Sequence, residues 1–527
     1  MDLATVKRRK KQSLTSILIP YQGNWVNNWI ARHADINPNQ LILIDEKSDR
    51  RFTYRAFNER IDRIAAFFKR ELSVKKGDRI GMISWTRIEM LDILFAGSKL
   101  GCIFFPINTR FTPREIKDCI AMYKPTTLVY EDEFTKIIDE SKASLRINHL
   151  VHIGNQGVKN STDFALAERY RERLEKPEQV VLEDPFMIIQ TGGTTGTPKG
   201  SIVNYRMVFW NAMITVRDLI VPGETTVTSV PLFHIGGYTY TLPLLIWGGT
   251  NILMHRWNPE KLIDWIETER VSFQFLVPAQ LKMLMESPRF KTADLSSVRW
   301  FTTGGAALTK EIMDLLLKKG VIMKQGYGLS EAGPGVFALD PKDAVRKLGS
   351  IGKPNLLVDV RVLTDKGKEA GPNESGELLI RSPSLFGGYW KNPAETAEAV
   401  EGGWFHTGDI VTYDDEGFFF VVARKKLVIR SGSESIYPEE IERILVSHPK
   451  VAEAVVIGVP DKKWGEVPKA LVVIKAGERT TSEEIISFCA GKLAKYKIPK
   501  SLEFIDSVPK TSAGKVEREQ LVKKCGQ

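Results

Sequence analysis

The chain has 527 residues, 43% of them hydrophobic and 26% charged, a composition that suits a folded protein of more than one domain and excludes extensive disorder. Its 74 basic and 64 acidic residues give a formal charge of +10, a bias that suits polyanionic ligands without naming one. Four scattered cysteines, Cys102, Cys119, Cys489 and Cys525, form no CxxC pair, so neither a disulfide framework nor a cysteine-held metal is expected.

In chain order, the basic run Lys7-Arg8-Arg9-Lys10-Lys11 reads as a solvated terminus rather than a nucleic-acid or lipid contact. Residues Tyr54 to Phe68 and Lys310 to Lys319 have helical periodicity. Short apolar runs at Phe186 to Ile189, Val271 to Val277, Val298 to Phe301 and Val321 to Met323 read as buried strands. The alternation predicts an α/β fold. From Thr225 to Met254 no Asp, Glu, Lys or Arg occurs, but Pro231, Gly236, Gly237, Pro243 and Gly248 interrupt the stretch. It is expected to form a buried strand, a loop and a helix rather than a membrane span. With no convincing signal peptide either, a cytoplasmic location is expected. Near residue 424 the character changes: Arg424-Lys425-Lys426 precedes a polar segment and a helix candidate opening at Pro438.

Three of the apolar runs lead into glycine-rich segments. Phe186 to Ile189 is followed by Thr191-Gly192-Gly193-Thr194-Thr195-Gly196-Thr197-Pro198-Lys199-Gly200. Val298 to Phe301 runs into Gly304-Gly305-Ala306-Ala307, and Val321 to Met323 into Gln325-Gly326-Tyr327-Gly328. Ligands of open α/β sheets bind beyond the carboxyl ends of strands, so three glycine-rich loops there are expected to share one site. The Thr/Gly decapeptide offers hydroxyls, backbone amides and one lysine to phosphate oxygens. It has neither the Walker A spacing nor that of a dinucleotide fingerprint.

This decapeptide resembles the phosphate-binding signature of the adenylate-forming superfamily, which includes acyl-CoA synthetases, carrier-linked adenylation domains and beetle luciferases. Further resemblances follow in the family's order over nearly the whole chain. Pro231-Leu232-Phe233-His234-Ile235-Gly236-Gly237 is similar to the segment bordering the acyl site, and Gln325 to Glu331 to the Tyr-Gly-x-Thr-Glu motif, with Ser330 for Thr. Trp404 to Asp409, Arg424, Ser431 to Pro438 and the segment Pro509 to Arg518 resemble later motifs.

The resemblance implies a large, multi-subdomain N-terminal adenylation domain (residues 1–423), a hinge (424–427) centred on Lys426, and a small mobile α+β C-terminal domain (428–527). It implies catalytic roles for Lys515, Glu331, Thr194 and Lys199, with Glu331 also holding Mg²⁺. Nucleotide-binding roles are implied for Thr191, Gly192, Gly193, Thr195, Gly196, Gly304, Ala306, Gly326, Tyr327, Gly328, Ser330, Asp409, Arg424 and Gly432. The acyl group would meet His234, Gly236, Gly237, Tyr238 and Gly305. The implied reaction is ATP-dependent: a carboxylic acid, fatty or with an aryl or alkyl body, becomes an acyl-adenylate and then an acyl-CoA thioester. Ser431 to Pro438 and Asp461 to Glu466 favour CoA over a carrier protein as acceptor, and retention of the charged motif residues argues against a silent scaffold. The expected partners are ATP, CoA and a small acid, with no nucleic acid and peripheral membrane contact at most. A homodimer is left open.

Overall fold

The computed structural model describes residues 25–141, 147–191, 199–215, 223–304, 310–431, 434–510 and 516–525. Their architecture is mixed α/β, with a large N-terminal part of four sheets and a small C-terminal part built on a fifth. The basic run at residues 7–11 lies outside the described residues.

The helix Tyr54–Arg70 shows how the first core forms. Thr53 accepts the Ala56 N–H at 3.2 Å, which caps the helix. Tyr54, Phe57, Ile61 and Ile64 then recur every three or four residues, and all are fully buried. They pack with the helix Ile88–Lys99, whose residues are buried on every side. Between these helices the Arg60 guanidinium donates to Asp92 at 2.7–2.9 Å and to Glu168 at 2.5 Å, in a site where Asp92 has no exposed surface.

The seven-stranded sheet beside this core is parallel except at one edge. There the strands Pro185–Thr191 and Lys199–Asn204 run antiparallel, with Thr191 opposite Lys199. A four-stranded sheet takes up much of the charge-free stretch. Its strands Thr225–Thr228 and Thr250–Leu253 flank a 3₁₀ turn at Ile235–Tyr238 and the helix Thr241–Trp247, as the sequence led us to expect. Among the described residues no helix is long and apolar enough to cross a membrane.

The third sheet runs through Phe273–Phe275, Trp300–Thr303, Met323–Leu329 and Gly333–Leu339. Three expected strands start later than their apolar runs suggest, at Phe273, Trp300 and Met323. The Val298 N–H is used in a turn to Leu295 O at 3.0 Å, and the Val321 N–H closes the preceding helix on Leu316 O at 3.0 Å. Ladder pairing therefore begins only beyond these residues. A second correction concerns Gly326 and Gly328, which lie inside the Met323–Leu329 strand, paired antiparallel with Gly333–Leu339, and not in a loop. At Gly328 a Cβ would sit 2.3 Å from the Gly333 carbonyl oxygen, so close strand approach requires glycine there.

The fourth sheet is antiparallel and ends with Trp404–Tyr413 and Phe419–Arg424. A 3₁₀ turn, Lys425–Leu427, separates it from the fifth sheet, whose first strand is Ile429–Ser431. The helix Pro438–Val446 packs on that sheet and has proline in its first turn, as expected.

Replacing Asp92 with alanine takes from the buried Arg60 charge its bidentate partner and leaves the pair with Glu168. The expected cost is about 3–5 kcal/mol, measured as a lower urea midpoint for unfolding of the helical core against the parent protein.

Candidate active site

An open cleft of about 3030 Å³ is lined by residues of the N-terminal sheets and of the small C-terminal part. One corner of it is built by strand register. Asp409 and Arg424 face each other across the antiparallel pair Trp404–Tyr413 and Phe419–Arg424. Asp409 is 2% exposed, and its carboxylate accepts from Arg424 Nε at 2.6 Å and from the Tyr327 hydroxyl. Tyr327 reaches it from the third sheet. Burial, and then the Asp409 charge, push the Tyr327 phenol well above its ordinary range, so it stays a donor. Thr407 completes the frame: its hydroxyl accepts the Asp409 N–H at 3.0 Å and donates to Leu378 O at 2.7 Å. Its carbonyl receives Arg424 Nη1 at 3.3 Å.

A second corner lies where the Pro185–Thr191 and Lys199–Asn204 hairpin meets the chain at residues 387–390. Backbone bonds from Gly387, Trp390 and Ile202 hold the two together. Thr191, Lys199, Ser330 and Glu331 all line the cleft here. The Lys199 ammonium pairs with Glu395 and stands 5.1 Å over the Tyr389 ring. The Tyr389 hydroxyl donates to Glu331 Oε1 at 3.2 Å, and Ser201 Oγ donates to Ser330 O at 3.1 Å. Desolvation, and next the charge of nearby Lys426, lower the Lys199 pKa.

In the third region His234 and Gly236 line the cleft together with Thr239, Tyr240, Phe275, Gly304 and Gly326. Gly237 and Tyr238 do not. Tyr238 is 2% exposed and packs in the core with Leu232, Leu242 and Leu245. Gly237 is required by a close turn, since a Cβ there would lie 2.6 Å from Pro231 O. In a 3₁₀ turn of this tightness, successive side chains cannot all face one side. Gly236 and Tyr240 face the cleft, while Tyr238 points away from it.

The C-terminal part contributes Glu439, Glu442, Lys510, Val516 and Arg518 to the opposite wall. Lys510 and Val516 bridge each other, and Lys510 pairs with Glu453. Arg518 binds Glu442 at 2.6 and 3.0 Å. Lys426 sits in the 3₁₀ turn at the floor, where its neighbour Lys425 donates to Glu377 Oε2 at 2.8 Å.

Of the residues singled out from the sequence, Gly192, Gly193, Thr194, Thr195, Gly196, Gly305, Ala306, Gly432 and Lys515 lie outside the described residues. The remainder gather on one cleft, apart from Gly237 and Tyr238. Sequence reasoning missed Tyr389, Glu395 and Glu377. Asn392-Pro393 is a legible helix start, and a carboxylate three residues after Asn392 is a recognisable first-turn acid. Nothing local, however, ties that acid to Lys199, almost two hundred residues earlier.

With this geometry in view, the comparisons are decisive. Residues 30–390 match the model of AMP-binding enzymes, and residues 440–515 match that of the AMP-binding enzyme C-terminal domain. The chain belongs to the AMP-binding enzyme family. It is 34% identical over 504 residues to a feruloyl-CoA synthase of an Amycolatopsis species, covering 95% of this chain and 99% of that protein. An indoleacetate–CoA ligase of Aromatoleum aromaticum is 34% identical, with 94% and 97% covered. The solved O-succinylbenzoate coenzyme A synthetase of Bacillus subtilis, in complex with ATP and magnesium ion, superposes with a TM-score of 0.83 at 28% identity. That match covers 94% of this chain and 99% of that one.

Replacing Asp409 with alanine leaves the Tyr327 hydroxyl and the Arg424 guanidinium without their shared acceptor. AMP binding is expected to weaken at least tenfold, about 1.4 kcal/mol or more, by titration calorimetry. Unchanged affinity would separate this corner from the nucleotide.

Proposed function

We propose that the protein is an ATP-dependent acid–CoA ligase that converts a carboxylic acid with an aryl or alkyl body to its acyl-adenylate and pyrophosphate, then to acyl-CoA and AMP. The observation that carries the reading is the convergence of Asp409, Tyr327 and Arg424 with Lys199 and Glu331 on one cleft that is faced by the Lys510–Val516 bridge of the C-terminal part. The domain organisation that goes with it is an adenylation domain to residue 423, a hinge at 424–427 and a mobile domain from 428.

In this mechanism the ionised Asp409 accepts both ribose hydroxyls, for which a carboxylate has enough acceptor sites. Arg424 holds that carboxylate in place, and Tyr327 lies against the adenine. Lys199, with Thr191 opposite it in the hairpin and with Thr194, neutralises the leaving pyrophosphate, and Ser330 meets the α-phosphate. Glu331 suits Mg²⁺ because it offers a hard carboxylate oxygen beside the phosphate corner. Among the described residues no cluster of three or more His, Cys, Asp or Glu could hold a metal ion, and Glu331 would share Mg²⁺ with phosphate oxygens, the hard ligands it prefers. When bound, Mg²⁺ supplies charge neutralisation to the triphosphate.

Lys515 bridges the attacking carboxylate and the α-phosphate, two anions that otherwise repel. CoA must then reach the carbon that Lys515 had enclosed, so rotation about Lys426 exchanges the face presented to the site. The acyl body lies along His234, Gly236, Tyr240 and Phe275. The aromatic acids named for the relatives, feruloyl and indoleacetate, make aryl acids the first class to test.

ATP–pyrophosphate exchange across a panel of aryl and alkyl acids, followed by mass spectrometry with CoA, tests the reading. Exchange with thioester formation is the expected outcome, and exchange without thioester would point to a carrier protein as acceptor. No exchange with any acid, together with retained ATP binding, would favour a scaffold. Within the reaction, Lys515→Ala should reduce adenylation by about 10²–10³ in rate and largely spare thioester formation from supplied acyl-AMP. Equal loss in both halves would overturn this division of labour.

A further inference from the structure

Lys199 opens the strand Lys199–Asn204, and its ammonium is directed at the helix Pro393–Ala399. The pairing carboxylate, Glu395, is held by more than the lysine. Its backbone N–H donates to Asn392 Oδ1 at 3.2 Å, and its second carboxylate oxygen accepts from Asn392 Nδ2 at 2.8 Å. Asn392 is the N-cap of this helix, so Glu395 sits in the first turn, where the helix dipole favours negative charge. Both side chains of the pair are mostly shielded, Lys199 at 20% and Glu395 at 25% exposure. Tyr389 stands on the other side, with its ring under the ammonium and its hydroxyl on Glu331.

Lys199 therefore already has a fixed anionic partner in the corner where a triphosphate must be neutralised. A carboxylate and a phosphate oxygen are both strong acceptors for one ammonium. Two anions crowded onto one cation also repel across a partly desolvated site.

We propose that Glu395 is a built-in phosphate surrogate: it holds Lys199 until the triphosphate displaces it, and recaptures Lys199 as pyrophosphate departs. The inference rests on the adenylate-forming reading above and adds to it a positioning residue that sets triphosphate and pyrophosphate affinity without touching the adenosine. Thr396 and Asn392 keep the helix start in place independently of the Glu395 charge, through bonds to Tyr389 N and Glu395 N. A glutamine at residue 395 should preserve the local fold.

The test is titration calorimetry of ATP with Mg²⁺, of pyrophosphate, and of AMP against the full chain, Glu395→Gln and Glu395→Ala. Both variants are expected to bind ATP and pyrophosphate about tenfold more tightly, with AMP affinity within twofold of the parent. In Lys199→Met the further change Glu395→Gln should no longer alter ATP affinity, since the pair has lost its coupling. Unchanged or weaker ATP binding in Glu395→Gln, with AMP binding intact, would overturn the surrogate role alone. A parent protein that binds neither ATP nor AMP would overturn the adenylate-forming reading and this inference with it.

Discussion

A carboxylate buried to 2% exposure has to be paired, because an isolated charge removed from water is among the costliest things a fold can contain. Asp409 meets that demand with partners from two sheets. Tyr327 comes from the strand Met323–Leu329, and Arg424 from the strand next to its own. The two sheets must therefore meet at one distance and angle. Arg424 is also the last residue of its strand before the Lys425–Leu427 turn, so the pair that satisfies Asp409 also fixes where the C-terminal part departs. The rest of the cleft is organised around that point.

The chemistry proposed for this cleft brings two anions together, and the cations available to it come from separate elements. Lys199 stands on an edge hairpin, Lys426 on the connecting turn, Lys510 and Arg518 on the C-terminal part, and Arg424 between them. Desolvation, and next the charge of Lys426, lower the Lys199 pKa, so the cations of separate elements act on one another. Distributing the cations over parts joined by a short turn lets the assembled field depend on how the parts are arranged. A single rigid cluster of the same charges would be expensive to hold together.

The residues expected to present a group to a ligand were largely legible through the motifs that hold them. Asp409, Arg424, Glu331 and Tyr327 stood out by resemblance to family motifs, Lys199 also by its place in the Thr/Gly decapeptide, and all lie on one cleft. What escaped was set by distant pairing. Gly326 and Gly328 look like loop glycines until the strand Gly333–Leu339 pairs with them. Tyr238 looks like a pocket aromatic because it follows His234 and two glycines, but the 3₁₀ turn sends it into the core and leaves Tyr240 at the cleft. Glu395 is marked locally as a first-turn acid and no more, and Tyr389 carries no local mark, since their importance arises from a hairpin strand formed far earlier in the chain. The strand starts at Trp300 and Met323 were misjudged for a smaller reason: apolar burial begins in the preceding turn, before ladder bonds do.

The edge hairpin of the seven-stranded sheet also determines what kind of phosphate site this is. Many phosphate-binding loops run from a strand straight into a helix, and the aligned amides of that helix supply a fixed positive end. Here the chain leaves at Thr191 and returns as an antiparallel strand at Lys199, with the two residues in register. Lys199 itself opens a strand and not a helix, so ionised side chains reaching in from several directions carry much of the positive potential around it. Such potential is screened by salt and shifts with protonation far more than peptide dipoles do. The phosphate corner of this protein is therefore more responsive to its ionic surroundings than a loop whose positive end is fixed in a helix backbone.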